Sequence, residues 1–295
     1  MKTRIESAVR IMVRSFGEAV CAAAVTLVAS SAPGQNMFEV DYGSGNIYEF
    51  TPGEARSTFA SGLYEPTGLA IDSAGDLFVG DGGTLIYKFT PGGGRSPFAS
   101  GLSQPTGLAF NSAGDLFEAD TATGNIYKFT PGGAQSTFAS GVGLPVGLAF
   151  NSAGDLFAAD NFGHIYEVTP GGALSIFASG LSFPQGLAIN SAGDLFVAAN
   201  GDGKIYEFTP GGAKRTFASG LYEIGELAFN SADDLFAADY DSGNIYEFTP
   251  GGVRSTFASG LDAPNSMAFQ VVPEPSALGL LAVGATALLV RRRTQ

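Results

Sequence analysis

A carboxylate recurs at equivalent places along this 295-residue chain, about 40 residues apart. A ring of such side chains could bind Ca²⁺, which takes about six to eight oxygen ligands. Alternatively, each carboxylate could cap the turn that follows it by accepting hydrogen bonds from backbone N–H groups. Its presence in almost every segment favours the turn cap, because a specialised site would interrupt the repeat. The residues are Asp41, Asp81, Asp120, Asp160 and Asp239, with Asn200 in the remaining segment.

Residues that depart from the repeat form a second set of candidates. Glu226 stands where most segments have glycine, and Glu223 lies three residues before it. Aromatic rings beside carboxylates and amides could hold sugar rings, although drift in exposed loops would give the same pattern. The candidate ligand-binding residues are Tyr64, Glu65, Gln185, Tyr222, Glu223, Glu226 and Asn265.

The chain has one cysteine, Cys21, and one histidine, His164. A lone cysteine excludes an internal disulfide and a thiolate metal cluster. His164 occupies a turn position that holds Asn46 or Lys204 in other segments, so we interpret it as a surface turn residue. We predict no catalytic residue, because the sequence offers no Ser-His-Asp set, phosphate loop or basic groove.

An Ile-Tyr pair marks six repeats, each of 39 or 40 residues. Each repeat holds four strand-like runs, named A to D, which in one copy are PTGLAF, DLFEAD, NIYKFT and STFAS. The Thr-Pro-Gly-Gly between runs C and D predicts a type II turn. The pairs begin at Ile47, Ile86, Ile126, Ile165, Ile205 and Ile245.

Four antiparallel strands repeated six times predict an all-β fold, a six-bladed β-propeller. An open solenoid is the alternative, but it would need polar capping repeats. The first repeat begins with run B at residues 37–41, and the last ends with a lone run A at residues 264–269. These fragments should share one blade and close the ring. The recurring phenylalanines should form the core, and small alanines should line the crowded axis at Ala70, Ala109, Ala149, Ala188, Ala228 and Ala268.

The P-T-G-L-A, G-D-L-F-E-A-D and I-Y-K-F elements resemble the NHL and SMP-30/gluconolactonase-like propellers over residues 37–270. The resemblance to gluconolactonases implies a divalent metal at the channel mouth, held by Glu, Asn and Asp. Matched position by position, it leaves Glu65, Glu223 and Asn265 as candidate metal ligands, and the rest of the family's ring is missing. We therefore expect no required cofactor, with calcium as the ion that these oxygens would suit.

Both ends of the chain have the pattern of targeting segments. Residues 1–34 combine a basic start, an apolar run and small residues, which predicts an export signal peptide. The propeller is expected over residues 35–270. Residues 271–295 contain a Pro-rich break, fourteen mostly apolar residues and an arginine cluster. That apolar stretch is shorter than the roughly 20 residues of a comfortable transmembrane helix, so we expect a transient anchor.

The C-terminal segment closely resembles the PEP-CTERM sorting signal, with Pro273, Glu274 and Pro275 as its signature. The resemblance implies a Gram-negative-type bacterium whose exosortase processes the tail. The protein would be held briefly at the inner membrane and then delivered to the cell surface or the extracellular polysaccharide matrix.

Charge separates the ends of the chain from its middle. Seven of the 15 basic residues and three of the 28 acidic ones lie in the two ends, which leaves 8 basic and 25 acidic residues and a net charge of −17 between them. Such a body repels nucleic acid and anionic membranes. We expect no nucleic-acid partner, and membrane contact only through the terminal segments.

Two hypotheses follow. The first is a non-enzymatic binding or structural module whose partners are polysaccharide or other surface proteins. The alternative is a metal-dependent lactonase or esterase of the gluconolactonase type.

Overall fold

The computed structural model describes residues 34–271, which form six four-stranded antiparallel sheets. These residues include no α-helix, only a 3₁₀-helix at Asn200–Asp202. None of them belongs to a helix with the length and apolar character needed to cross a membrane. The predicted signal peptide and sorting segment meet the described residues only at Gly34 and Val271, and otherwise lie outside them.

Every sequence run A to D between these limits is a strand, so the predicted propeller is confirmed. The strands are β1 (Gln35–Asp41), β2 (Asn46–Phe50), β3 (Arg56–Ala60), β4 (Pro66–Ile71), β5 (Leu77–Asp81), β6 (Leu85–Phe89), β7 (Arg95–Ser100), β8 (Pro105–Phe110), β9 (Leu116–Asp120), β10 (Asn125–Phe129), β11 (Gln135–Ser140), β12 (Pro145–Phe150), β13 (Leu156–Asp160), β14 (Ile165–Val168), β15 (Leu174–Ala178), β16 (Pro184–Ile189), β17 (Leu195–Ala199), β18 (Lys204–Phe208), β19 (Lys214–Ser219), β20 (Ile224–Phe229), β21 (Leu235–Asp239), β22 (Asn244–Phe248), β23 (Arg254–Ala258) and β24 (Pro264–Val271).

Blade 1 closes the ring by combining both ends of the described chain. It contains β24, β1, β2 and β3 in that order, and blades 2 to 6 take the next four strands in turn. Gln35 pairs with Val271 and Glu39 with Met267. The shared blade removes the free sheet edges that an open array would expose.

Phenylalanines fill the interfaces between blades. Phe117 is 2% exposed, and its ring centroid lies 4.8 Å from that of Phe138 and 4.9 Å from that of Phe150, both in edge-to-face contact. Burial of one such side chain contributes about 1.5–3 kcal/mol. The prediction that the recurring phenylalanines are core is confirmed.

Glycine, rather than alanine, surrounds the axis. A Cβ added to Gly107 would overlap the carbonyl oxygen of Val146 in the next blade. Ala70 and Ala188 instead pack in the clusters between blades. The prediction of axial alanines is wrong, because neighbouring A strands come closest near their N-terminal ends, where a methyl group added at Gly68, Gly107, Gly147 or Gly186 would overlap the next blade.

The predicted type II turn between strands C and D is also wrong. In Thr90-Pro91-Gly92-Gly93, the Gly93 N–H donates to the Thr90 carbonyl at 2.8 Å, and the positive φ of 80° falls on Gly93. A type II turn would place it on Gly92. The hairpin therefore has the three-residue form, in which a left-handed residue follows a type I turn.

Candidate functional site

Two sets of loops lie on one face of the ring, called here the loop face. They are the loops between strands B and C and the loops between strands D and A. Backbone bonds join them: Tyr240 N–H donates to the Glu223 carbonyl at 2.8 Å, and Asn200 N–H donates to the Phe183 carbonyl at 3.1 Å. The B–C and D–A loops therefore lie together on this face.

The recurring aspartates hold these loops together. Asp120 Oδ1 accepts hydrogen bonds from Thr123 N–H at 3.1 Å and Thr123 Oγ1 at 2.7 Å, and its Oδ2 accepts one from Ser103 N–H at 2.7 Å. Asp81 keeps the bond to the preceding loop, from Tyr64 N–H, but within residues 34–271 its carboxylate accepts no hydrogen bond from its own B–C turn. The predicted turn cap is confirmed in the other copies, Asp41, Asp120, Asp160 and Asp239.

His164 belongs to one of these capped turns. Its backbone N–H donates to Asp160 Oδ1 at 2.8 Å, and its Nδ1 lies 3.0 Å from Asp160 Oδ2. The imidazole is thus held by the turn-capping carboxylate, as expected for a turn residue.

A pair of tyrosines from neighbouring blades forms the centre of the candidate site. Tyr42 of blade 1 and Tyr240 of blade 6 are half-buried, with ring centroids 5.7 Å apart and planes tilted by 56°. Burial is the largest cause that raises the pKa of the Tyr42 phenol, and the adjacent Glu65 carboxylate is the second. Burial, followed by the Glu223 carboxylate, raises the pKa of Tyr240. The tyrosine pair is therefore an apolar surface with a negative border, which also includes Asp241 and Asp262.

Four of the predicted site residues lie on this face. Glu65 has a φ of 46°, in the left-handed region, and is half-buried, whereas Glu223 is exposed. The rings of Tyr64 and Tyr222 are 65% and 68% exposed, while their backbone N–H groups are held by aspartates. Phe162 lies in a B–C loop of the same face and is also largely exposed.

The other three predicted residues line the central channel instead. Asn265 Nδ2 donates to the Pro66 carbonyl at 3.5 Å, and Gln185 Nε2 donates to Asn161 Oδ1 at 2.8 Å, so both amides link neighbouring blades. The channel holds about 100 Å³, whereas sites for drug-sized ligands usually enclose about 300–1,000 Å³. The channel can take water or a small ion, but it is too narrow for a sugar ring.

Glu226 is the third channel residue, and its contact with solvent is limited to the lumen. Its Oε1 accepts a hydrogen bond from Leu187 N–H of blade 5 at 3.1 Å. Burial raises the pKa of this carboxyl to about 7, against the opposing effect of the Leu187 and Leu227 N–H groups. In this blade Gly225, instead of residue 226, is the residue whose backbone lies closest to the next blade. The Glu226 side chain is therefore accommodated.

The metal ligands implied by the family resemblance do not form a fitting set. Glu65 and Glu223 are on the loop face, and the Asn265 amide is engaged in the channel wall. Within residues 34–271, no three His, Cys, Asp or Glu side chains come together as a group that could hold a metal ion.

Sequence reasoning missed Tyr42, the partner of Tyr240. Tyr42 follows Asp41 directly, as Tyr240 follows Asp239, and other repeats have Gly82, Thr121 or Asn161 there. This difference between repeats was the available signal. The pairing of Tyr42 with Tyr240 could be recognised only after ring closure had placed blades 1 and 6 side by side.

Residues 271–293 match the PEP-CTERM protein-sorting motif, which confirms the sorting-signal resemblance. The motif implies export, sorting to the surface and processing by an exosortase. No curated protein sequence matches the chain.

Solved structures share the fold at low sequence identity. A chain of a nidogen–laminin complex is 16% identical with a TM-score of 0.74, and the match covers 81% of this chain and 99% of that one. Virginiamycin B lyase from Staphylococcus aureus is 15% identical with a TM-score of 0.64, covering 82% and 93%. A proposed gluconolactonase is 15% identical with a TM-score of 0.62, covering 70% and 82%. The chain is therefore a six-bladed β-propeller, of a fold shared with gluconolactonase-like proteins, that carries a C-terminal PEP-CTERM sorting motif.

Proposed function

We propose that this protein, once exported, is a non-catalytic polysaccharide-binding module of the bacterial cell surface or exopolysaccharide matrix. The observation that carries the proposal is the tyrosine pair with its border of carboxylates on the loop face. The exposed rings of Tyr64 and Tyr222 extend the aromatic surface on the same face.

Sugar rings have C–H groups on their faces and hydroxyl groups around their edges. A tyrosine offers an apolar ring for the sugar face and a phenol for a hydrogen bond. Ionised carboxylates accept hydrogen bonds from hydroxyl or ammonium donors. The loop face supplies both kinds of group within one surface.

The charge of the site restricts the class of sugar. In the described part of the chain, no basic side chain lowers the pKa of either tyrosine of the pair, and the body between the terminal segments carries a net charge of −17. A polyuronate would be repelled by this field. The ligand is therefore a neutral or amino-bearing polysaccharide.

The two terminal segments determine where in the cell the protein is delivered. The export signal at residues 1–34 directs the chain out of the cytoplasm, and the PEP-CTERM segment is processed by an exosortase at the inner membrane. Membrane contact is limited to these segments, and the propeller remains at the surface or in the matrix.

Catalysis has little support from the residues present. One lyase structure of this fold is of a catalytically inactive variant with histidine replaced by alanine. The only histidine here, His164, is tied to Asp160 within a turn.

The test measures retention of the purified protein on a neutral glucan, a deacetylated amino-sugar polymer and a polyuronate. We expect binding to one or both of the first two and none to the third. Replacing Tyr64 and Tyr222 by alanine should weaken binding by roughly tenfold per ring, as expected for about 1.4 kcal/mol. Ile176→Ala is the matched control, because Ile176 is 60% exposed on the outer strand β15, away from the loop face.

Binding that the tyrosine variants leave intact, or no binding to any polysaccharide, would contradict the proposal. Lactone hydrolysis with added Ca²⁺ or Zn²⁺, lost in Glu65→Ala or Glu223→Ala, would replace it with the metal-dependent lactonase alternative.

A further inference from the structure

Two glutamates occupy an apolar position of the repeat. Glu39 and Glu118 lie at equivalent places in strand B, two residues before the aspartate that ends it. Both side chains are 0% exposed, and no donor among residues 34–271 forms a hydrogen bond of normal geometry with either carboxyl; the Asn265 backbone N–H acts on Glu39 only by lowering its pKa. Buried polar groups are nearly always hydrogen-bonded, so two such carboxyls require an explanation. The equivalent residues of the other blades are Val79, Ala158, Val197 and Ala237.

Strand alternation places each glutamate in a different interface between blades. Leu116 of blade 3 packs in one cluster with Phe78 of blade 2. Because side chains two residues apart share a face, Glu118 also faces blade 2. By the same alternation, Glu39 lies on the same face of β1 as Met37, which packs in the interface with blade 6.

Other buried carboxylates in the described chain have a hydrogen-bond partner or a charge partner. Glu207 has the Arg215 guanidinium 2.5 Å away, and Asp120 is bonded to the loop around it. Glu39 and Glu118 therefore fit their interfaces only as neutral acids, since an ionised carboxylate without a partner is costly to bury.

We propose that Glu39 and Glu118 make the interface between blades 6 and 1 and the interface between blades 2 and 3 alkali-sensitive seams. Ionisation of these carboxyls weakens the two interfaces and leaves the other four unchanged. The seams divide the ring into an arc of blades 1 and 2 and an arc of blades 3 to 6. The wild-type ring therefore opens locally at these two places as pH rises.

The neighbouring charges agree with this direction. Burial, followed by Asp120, raises the pKa of Glu118 to about 9. Burial is the largest cause that raises the pKa of Glu39, and the charge of Asp41 is the second. Hydrogen bonding by the Asn265 backbone and the charge of Arg56 act in the opposite direction. The neutral form persists in the closed seam, and ionisation favours the opened one, where water solvates the carboxylate.

Hydrogen exchange of the full chain at pH 6 and pH 8, corrected for the intrinsic exchange rate, tests the proposal. The opening equilibrium constant of each seam should rise by as much as tenfold per pH unit. At the Glu118 seam the rise from pH 6 to pH 8 should be about a hundredfold. The affected strands should be β5, β8 and β9 at one seam and β1, β21 and β24 at the other. Strands β13 and β17, which meet at an interface containing Val197, should show no such change.

Single variants assign each effect to its seam. Glu118→Val should abolish the pH dependence between blades 2 and 3 and leave it between blades 6 and 1, and Glu39→Val should do the reverse. Glu118→Gln, which cannot ionise, provides a second variant if valine perturbs packing. Equal loosening of all six interfaces, or a pH response that survives both Glu118 variants, would overturn the proposal.

Discussion

Replacing Glu118 by valine should stabilise the protein at neutral pH. Glu118 is fully buried without a hydrogen-bond partner, and Val79 and Val197 occupy the equivalent position in two other blades. The substitution therefore introduces a side chain that this position already accepts, and it removes an unpaired acid.

The magnitude follows from the raised pKa. The Glu118 pKa is about 9 in the folded protein, against 4.5 for an unperturbed glutamate. Between these values the folded state holds a proton that the unfolded state has lost, so stability falls as pH rises, by about 1.4 kcal/mol per pH unit. At pH 7 the accumulated cost is roughly 3 kcal/mol, which for a domain of this size corresponds to roughly 6–12 °C in Tm.

Denaturant unfolding of wild type, Glu118→Val and Glu118→Gln at pH 4.5 and pH 7 measures this difference. Valine should raise the free energy of unfolding at pH 7, and its advantage should shrink at pH 4.5, where Glu118 of the wild type is protonated in the folded state and half protonated in the unfolded state. Glutamine should also remove the contribution of residue 118 to the pH dependence but lack the full gain, because its amide is still buried. A valine variant no more stable than wild type at pH 7, with an unchanged m-value, would refute the reasoning.

Three further changes have definite expectations. Gly107→Ala should lower stability by about 2 kcal/mol or more, because the methyl group meets the next blade, whereas Gly92→Ala, with open space around it, should be nearly neutral in thermal melting. Asp120→Ala should cost about 1–3 kcal/mol in denaturant unfolding, because Thr123 and the preceding loop lose their acceptor. Deleting residues 272–295 should abolish surface display, as measured by antibody labelling of intact cells, and unchanged display would contradict the sorting role.

The fold could be predicted because its determinants repeat. Six copies of the Ile-Tyr pair and the split of one blade between the chain ends gave blade number and closure directly. The path of strand A near the axis was not predictable in this way. It depends on how closely neighbouring backbones approach, which put glycines such as Gly107 at the axis and alanines such as Ala70 in the interfaces.

The candidate site was only partly predictable. Departures from the repeat drew attention to Glu65 and Glu223, and both lie on the loop face. The same reasoning grouped them with Asn265, which the structure places in the channel wall. Sequence position alone does not say whether a side chain at the start of strand A turns toward the loops or the lumen. The contribution of Tyr42 required the contact between the first and last blades.

Protection mapping of the polysaccharide-bound protein tests the central claim most directly. Hydrogen exchange with and without a saturating neutral or amino-bearing polysaccharide should show protection in the loops around Tyr42, Tyr64, Tyr222 and Tyr240. The A–B loops on the opposite face, such as residues 111–115, should be unchanged. Protection confined to those opposite loops, or to the outer strand β15, would contradict a binding site on the loop face.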